Sequence, residues 1–348
     1  MNSKSTLKQS TASLLITPKL LYTDCATAAI QTGEKMKMKI FACITACILL
    51  LTGCMTSEHK ESDSLSVVTV IFPQYDFARA VCQGVREPHM IMKPGAEIHG
   101  FEPSASDIET IANADVFIYG GGESDVWIDS ILETIDNPNL KTVKLMEHCK
   151  LLEEGSSHHH HEHEHDQMCQ SHSGFDEHVW LLPENAIASI EAICDALCQI
   201  DHQNAAAYRK NADEYISEIQ LIDSELESLC TDSEQNFIAV GDRFPFLYLA
   251  RRLNLEYKSV FSGCSHENDA SPSVMIDIIE TMKAKGTPVV FYTELSDRKI
   301  ADTISEETGA KPLLLHSAQS IGKEDFASEL TYADIMRQNI KNLKEALR

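Results

Sequence analysis

The sequence predicts an α/β protein of two lobes, each a mostly parallel sheet flanked by helices, with one long rigid helix joining them. Three observations carry that expectation. Short β-branched apolar runs alternate with segments whose apolar residues recur at helical spacing, the pattern of strands covered by helices. The alternation stops near residue 183, where helical sequence runs with hardly a break to about residue 232. It then resumes and continues towards residue 348. A chain of 348 residues has room for two such units at about 100–200 residues each.

The elements follow in order. "SVVTVIF" (66–72) reads as a buried strand, "PQYDFARAVC" as a helix and "EPHMIMK" as a second strand. "PSASDIETIANA" opens on Pro103 and Ser104 and carries Asp107 in its first turn, a helix-start signal. "DVFIYGGG" is a third strand, "SDVWIDSILETI" a helix and "KTVKLM" a fourth strand. The glycines of "YGGGE" (119–123) lack GxGxxG spacing, which argues against a nucleotide loop. "PENAIASIEAICDALCQI" is one helix, and Asp201 reads as the cap of the next. That helix runs to Cys230 and spans about 40 Å at 1.5 Å per residue. Beyond it "NFIAVG", "LEYKSVF", "TPVVFYT" and "AKPLLLHS" are strands. "SPSVMIDIIETMKAK" and "DRKIADTISEETG" are helices between them, and "DFASELTYADIMRQNIKNLKEAL" is the last helix. The expected division is a signal region over 1–53, a tether over 54–65, a first Rossmann-like lobe over 66–200, a connecting helix over 201–232 and a second such lobe over 233–348.

Charge and termini narrow the class. The chain holds 29 Lys+Arg against 53 Asp+Glu, which argues against a nucleic-acid partner, whose phosphates need a basic footprint. Lys35, Lys37 and Lys39 form a short basic region, and "IFACITACILLLTG" follows as an apolar run. Basic start, apolar middle and small residues at its end make a secretory signal over 34–53. The run is too short for an ordinary spanning helix, which needs about 20 residues. "LTGC", ending at Cys54, resembles the bacterial lipobox, implying cleavage before Cys54 and lipidation of it; the alternative is a plain signal peptide with a chance cysteine. Residues 1–34 do not fit a signal, so the expected start is Met36 or Met38. Removing residues 1–53 leaves 23 Lys+Arg against 51 Asp+Glu, a balance of −28. Seven cysteines lie beyond Cys54, an odd number that leaves at least one thiol unpaired. Cys194 and Cys198, four apart on a helix, read as small core residues.

Histidines carry the chemistry. His158, His159, His160, His161, His163 and His165 crowd "SSHHHHEHEHDQMCQ", interleaved with Glu162, Glu164 and Asp166. Adjacent imidazoles cannot all converge on one ion, so weak multiple metal binding is the expectation for 156–173, with an inert acidic loop as the alternative. Three other histidines stand at strand–helix junctions, where α/β proteins place ligand sites. They are His99 in "KPGAEIHGFEPSASD", His178 in "FDEHVWLLPENA" and His316 at the end of "KPLLLHS".

"PGAEIHGFEPSASDIETIANADVFIYGG" followed by "DEHVWLLPENA" resembles the metal-specific substrate-binding lipoproteins of bacterial ABC importers, the zinc and manganese cluster A-I group. The resemblance extends over the whole exported part: lipobox, His-rich acidic loop, long helix and second α/β lobe. It implies that His99 and His178 are metal ligands from the first lobe. In the second lobe the chain departs from the pattern. The family's usual His-Asp pair is "GD" here, with Gly241 in the histidine's place and Asp242 kept, and His316 stands where a late strand usually ends in Asp. The expected ligands are therefore His99, His178, His316 and Asp242, with His266, Glu267, Glu294 or water as alternatives for the fourth. Asp242 reads equally as a helix cap or a salt-bridge partner of Arg243.

Imidazoles with one carboxylate suit a four-coordinate Zn2+ at about 2.0–2.2 Å. Mn2+ favours more oxygen ligands and is the weaker expectation. The resemblance thus implies an extracytoplasmic, lipid-anchored monomer that captures Zn2+ between its lobes and delivers it to an ABC permease and its cytoplasmic ATPase. The His-rich loop would collect or sense metal beside the cleft. Two rival readings are a surface zinc-storage or adhesin lipoprotein and a secreted zinc metallohydrolase. The only HExxH spacing, His161 to His165, lies inside the histidine run, "HENDA" at His266 fails it, and ligands drawn from two lobes favour capture over catalysis.

Overall fold

In the computed structural model, which describes residues 65–98, 100–154, 174–261 and 270–348, strands β1 (Val67–Thr69), β2 (His89–Met90), β3 (Val116–Tyr119) and β4 (Lys141–Lys144) form a parallel sheet in the order β2-β1-β3-β4. Strands β5 (Phe237–Val240), β6 (Glu256–Ser259), β7 (Val289–Tyr292) and β8 (Lys311–Leu314) form a second parallel sheet in the order β6-β5-β7-β8. The central strands β1, β3 and β5 read "VVT", "VFIY" and "FIAV" and are buried at every position, and β7 reads "VVFY" with only Tyr292 partly exposed, as strands covered on both faces must be. The outer strands carry lysines and a proline, "KTVK" and "KPLL", which a sheet edge tolerates.

Helices α1 (Phe72–Cys82), α2 (Ala105–Ala112) and α3 (Val126–Leu132) belong to the first sheet, and α6 (Leu247–Arg252), α7 (Pro272–Lys285) and α8 (Lys299–Thr308) to the second. Ser104 caps α2, its hydroxyl accepting the Asp107 N–H at 3.3 Å while Asp107 accepts the Ser104 N–H at 2.8 Å. In the chain between the two sheets come α4 (Pro183–Ile200) and α5 (Ala205–Asp232). Asp201 is not the cap of α5, which begins only at Ala205. Its carboxylate instead accepts from Asn204 Nδ2 at 2.7 Å and from the Tyr208 hydroxyl at 2.9 Å, bracing the corner between the two helices. The expected last helix is two, α9 (Lys323–Ala327) and α10 (Tyr332–Ala346). Glu329 turns the chain at φ 59°, and Thr331 and Asp334 then form a second capping box.

All these elements belong to one compact unit, Ser64–Arg348. The core is continuous across the two sheets: Val68, Phe77 and Phe117 join Trp180, Ile222, Val240, Leu315 and Met336 in one buried cluster. A smaller cluster around Ile278, Val290 and Ile304 lies under α7 and α8. Helix α10 packs on α5 and α1 as well as on β7 and β8, tying the end of the chain to the first half. No helix among the described residues is long and apolar enough to cross a membrane.

Candidate metal centre

One wall of the site is the segment before α4. Asp176 turns it: one carboxylate oxygen accepts the His178 backbone N–H at 2.9 Å and meets His178 Nδ1 at 3.1 Å. With Nδ1 carrying the proton, Nε2 is the ring's electron-pair donor, the orientation that a carboxylate imposes on metal-binding imidazoles. His178 is buried yet lines a cavity of the described residues. Its neighbour Glu177 points the other way, accepting from the Ser124 N–H at 2.9 Å and hydroxyl at 2.5 Å. A side chain at Gly122 would lie 2.5 Å from Glu177 Cβ, so the glycine cluster exists to let this loop approach β3.

The opposite wall comes from the carboxyl ends of β5, β7 and β8, the end of a parallel sheet at which ligands bind. Asp242 follows β5. One oxygen accepts the Arg243 N–H at 2.8 Å and the other the Thr293 hydroxyl at 2.7 Å, which aims the group and leaves lone pairs for a further partner. Glu294 follows β7 and is clamped by Ser317, whose N–H and hydroxyl donate to its two oxygens at 3.0 and 2.5 Å. Gly241 admits no histidine as the chain is packed: a Cβ there would sit 2.8 Å from the Ala301 backbone at the start of α8.

His316 follows β8 and is buried behind this wall. Its Nδ1 accepts the Ala318 N–H at 2.9 Å, in a turn where Ala318 takes φ 59°, and lies 3.7 Å from Glu294 Oε2. A neutral ring accepting at Nδ1 holds its proton on Nε2. That Nε2 is buried and has no hydrogen-bond partner among the described residues.

The cavity between the walls has a volume of about 340 Å³. It brings His178 from one side to Asp242 and Glu294 from the other, with Glu97 and Asp297 adding carboxylates at its rim. Arg243 also lines it and pairs with Glu97 at 3.3 Å across the lobes. Four carboxylates against one guanidinium make it a cation's environment. Among the described residues no three His, Cys, Asp or Glu side chains converge closely enough to hold a metal ion by themselves. His99, His266, Glu267, the six loop histidines and Cys54 lie outside the described residues. Sequence reasoning missed Gln319. It lines the cavity, and its buried Nε2 has no partner among the described residues. Only its spacing of three residues from His316 could have drawn attention to it.

The profile of the family described as "Zinc-uptake complex component A periplasmic" matches residues 67–346. The "High-affinity zinc uptake system protein ZnuA" of Bacillus subtilis is 30% identical over 309 residues, covering 87% of this chain and 96% of that protein. The "Zinc-binding lipoprotein AdcA" of Streptococcus pneumoniae serotype 4 is 30% identical over 301 residues, 86% of this chain, which spans only 59% of that relative's length. Among solved structures, the metal-dependent lipoprotein YcdH of Bacillus subtilis superposes with a TM-score of 0.69 at 26% identity, over 82% of this chain and all of that one. Zn(II)-bound AdcA from Streptococcus pneumoniae gives 0.68 at 28% identity, over 82% of this chain and 58% of that one.

Proposed function

The chain belongs to the zinc-uptake complex component A family, and from that premise we propose that it captures Zn2+ between its lobes and hands it to a membrane permease driven by an ATPase. The observation that carries this reading is the meeting of His178 and Asp242, from opposite lobes, at one acidic cavity on the carboxyl ends of a parallel sheet. A neutral imidazole with a fixed tautomer and an aimed carboxylate are zinc donors. His99 is proposed as a further ligand from the first lobe. His316 is proposed as the other, entering when its ring lets go of the Ala318 N–H; Glu294, beside it, is the carboxylate that would hold the ring in its new setting. The relatives' zinc names support zinc over manganese, and uptake over storage or hydrolysis.

On this reading the chain is an extracytoplasmic lipoprotein anchored through Cys54, acts as a monomer and performs no catalysis. The lobes share one core, so capture needs only small movements of the cavity walls rather than a wide hinge opening. The His-rich segment concentrates zinc near the cavity without being the transport site.

The test is a competition titration of Zn2+ and Mn2+ into the exported chain lacking 156–173. One tight zinc site is expected, lost in His178→Ala and Asp242→Ala, weakened in His316→Ala, with manganese much weaker. Tight binding that disappears with the segment alone would move the function to that segment and overturn the cavity assignment.

A further inference from the structure

Trp180 joins the two walls of the cavity directly, beside the Arg243–Glu97 pair at 3.3 Å and the Tyr248 hydroxyl, which donates to the Asp176 carbonyl at 2.8 Å. Trp180 lies two residues beyond His178, and its ring meets the imidazole edge-on with centroids 5.5 Å apart. Its indole N–H donates to the Ser317 carbonyl at 2.8 Å, a buried bond between residues 137 positions apart. Ser317 is the residue that clamps Glu294 with both its N–H and its hydroxyl. One continuous line of contacts therefore runs His178, Trp180, Ser317, Glu294, from one wall to the other.

The far side of Trp180 is fixed too. Its carbonyl accepts the Tyr332 hydroxyl at 2.6 Å, and the Tyr332 N–H donates to Asp76 at 2.9 Å. Asp76 also accepts the Tyr215 hydroxyl at 2.5 Å and pairs with Arg79. Trp180 is thus pinned to α1, α5 and α10, and what it holds is the turn after β8. An indole N–H has one donor and no acceptor. If the Ser317 turn withdraws, the donor and the carbonyl are both left buried without partners, which penalises every intermediate position of the turn.

We propose that Trp180 is a positioning residue for the ion: its indole bond to the Ser317 carbonyl sets the separation of the two cavity walls, and breaking that bond limits the rate of zinc release. The proposal rests on the zinc-capture reading and adds to it a residue that touches no metal. Metal and latch then support each other, because ligands on both walls hold the turn at the distance the indole requires, and the indole holds the turn at the distance the ligands require.

Two measurements test it on the exported chain. In the first, zinc is stripped by excess chelator from wild type and from Trp180→Phe, which keeps a ring but loses the donor. Release from the tight site is expected about five- to tenfold faster in the variant, the loss of one buried hydrogen bond, with one tight zinc still bound per chain. A purely structural role would lower the thermal midpoint and leave the release rate unchanged, and that outcome overturns the proposal.

The second uses wild type alone, so no variant has to fold. The chain has two tryptophans, Trp127 and Trp180, hence two indole N–H resonances, distinguished by Trp127→Phe. The Trp180 N–H is expected to exchange with solvent at least about tenfold more slowly with zinc bound than without. Equal exchange in the two states overturns the latch while leaving zinc capture standing. Absence of zinc binding in wild type overturns capture itself, and the latch with it.

Discussion

Asp176 grips His178 twice with one oxygen, at the backbone N–H (2.9 Å) and at Nδ1 (3.1 Å), so one carboxylate fixes both the turn and the tautomer of the ring facing the cavity. Asp176→Asn keeps an oxygen for the backbone N–H and loses the negative charge that makes the imidazole a stronger base. Zinc affinity is expected to fall about 10- to 100-fold with the fold intact, as second-layer substitutions at metal sites do. A competition titration against a chelating dye checks it. In the wild type, protons compete with zinc for the imidazoles, so affinity should fall as the solution is acidified. An affinity flat between about pH 5 and 8 would remove histidine from the ligand set.

Gly241 stands where the resemblance leads one to expect a histidine, and its packing leaves no room for one. A Cβ would come within 2.8 Å of Ala301 Cα and 2.9 Å of its backbone nitrogen, atoms that move only if α8 moves. Gly241→Ala is expected to cost about 1–3 kcal/mol through overpacking alone, measured by urea unfolding of the metal-free protein. Gly241→His is expected to cost at least as much and to bring no gain in zinc affinity. Stable Gly241→His protein with tighter zinc binding would show that α8 yields.

These residues also show where sequence stops informing. Strands β1, β3 and β5 are legible because a strand covered on both faces must be apolar throughout, and α4 because Pro183 fits only at a helix start. The junction position of His178 follows from the same alternation, whereas Asp242 is reached only through the family resemblance. The bracing of Asp201 by Tyr208 overrode its local reading as a cap, and Thr331 split the last helix by a signal that an amphipathic pattern masks. The glycine at 241 is visible in sequence, but the close approach that requires it, to a backbone sixty residues away, is not. The setting of His316 depends on a two-residue turn with Ala318 in left-handed geometry, for which alanine gives no warning.

Gln319 offers the cavity a neutral amide where a charged group would suit a cation. Its Nε2 has no partner among the described residues, and Asp242, Glu294 and Glu97 share the cavity with it. Gln319→Glu adds a fifth carboxylate to a cavity with one guanidinium, an excess of negative charge that a bound cation offsets. The metal-free protein is expected to lose stability and the zinc complex to gain affinity, by about tenfold for one charge-assisted contact. Parallel thermal melts with and without zinc check both halves. Equal shifts in the two states would place the side chain out of the ion's reach.

Asp125 supplies a pH signature independent of the metal. It is 6% exposed and supports the glycine turn by accepting the Gly121 N–H at 2.9 Å. Burial pushes its carboxyl from 3.8 up to about 6, against the opposing pull of that N–H, and the nearby Glu177 charge adds to the rise. The folded chain therefore holds this proton at pH values where the unfolded chain has released it. The resulting contribution to stability is fully present below 3.8 and is lost as pH rises through about 6. Asp125→Asn has no such titration. Relative to wild type, the variant is expected to gain up to about 3 kcal/mol between about pH 4 and pH 7, the slope reaching about 1.4 kcal/mol per pH unit where only the unfolded chain has lost the proton. Urea unfolding of both proteins, metal-free, at four pH values across that window measures the difference. A difference that stays flat would mean that the Asp125 carboxyl titrates alike in the folded and unfolded chains, the backbone N–H groups of Gly120 and Gly121 offsetting its burial.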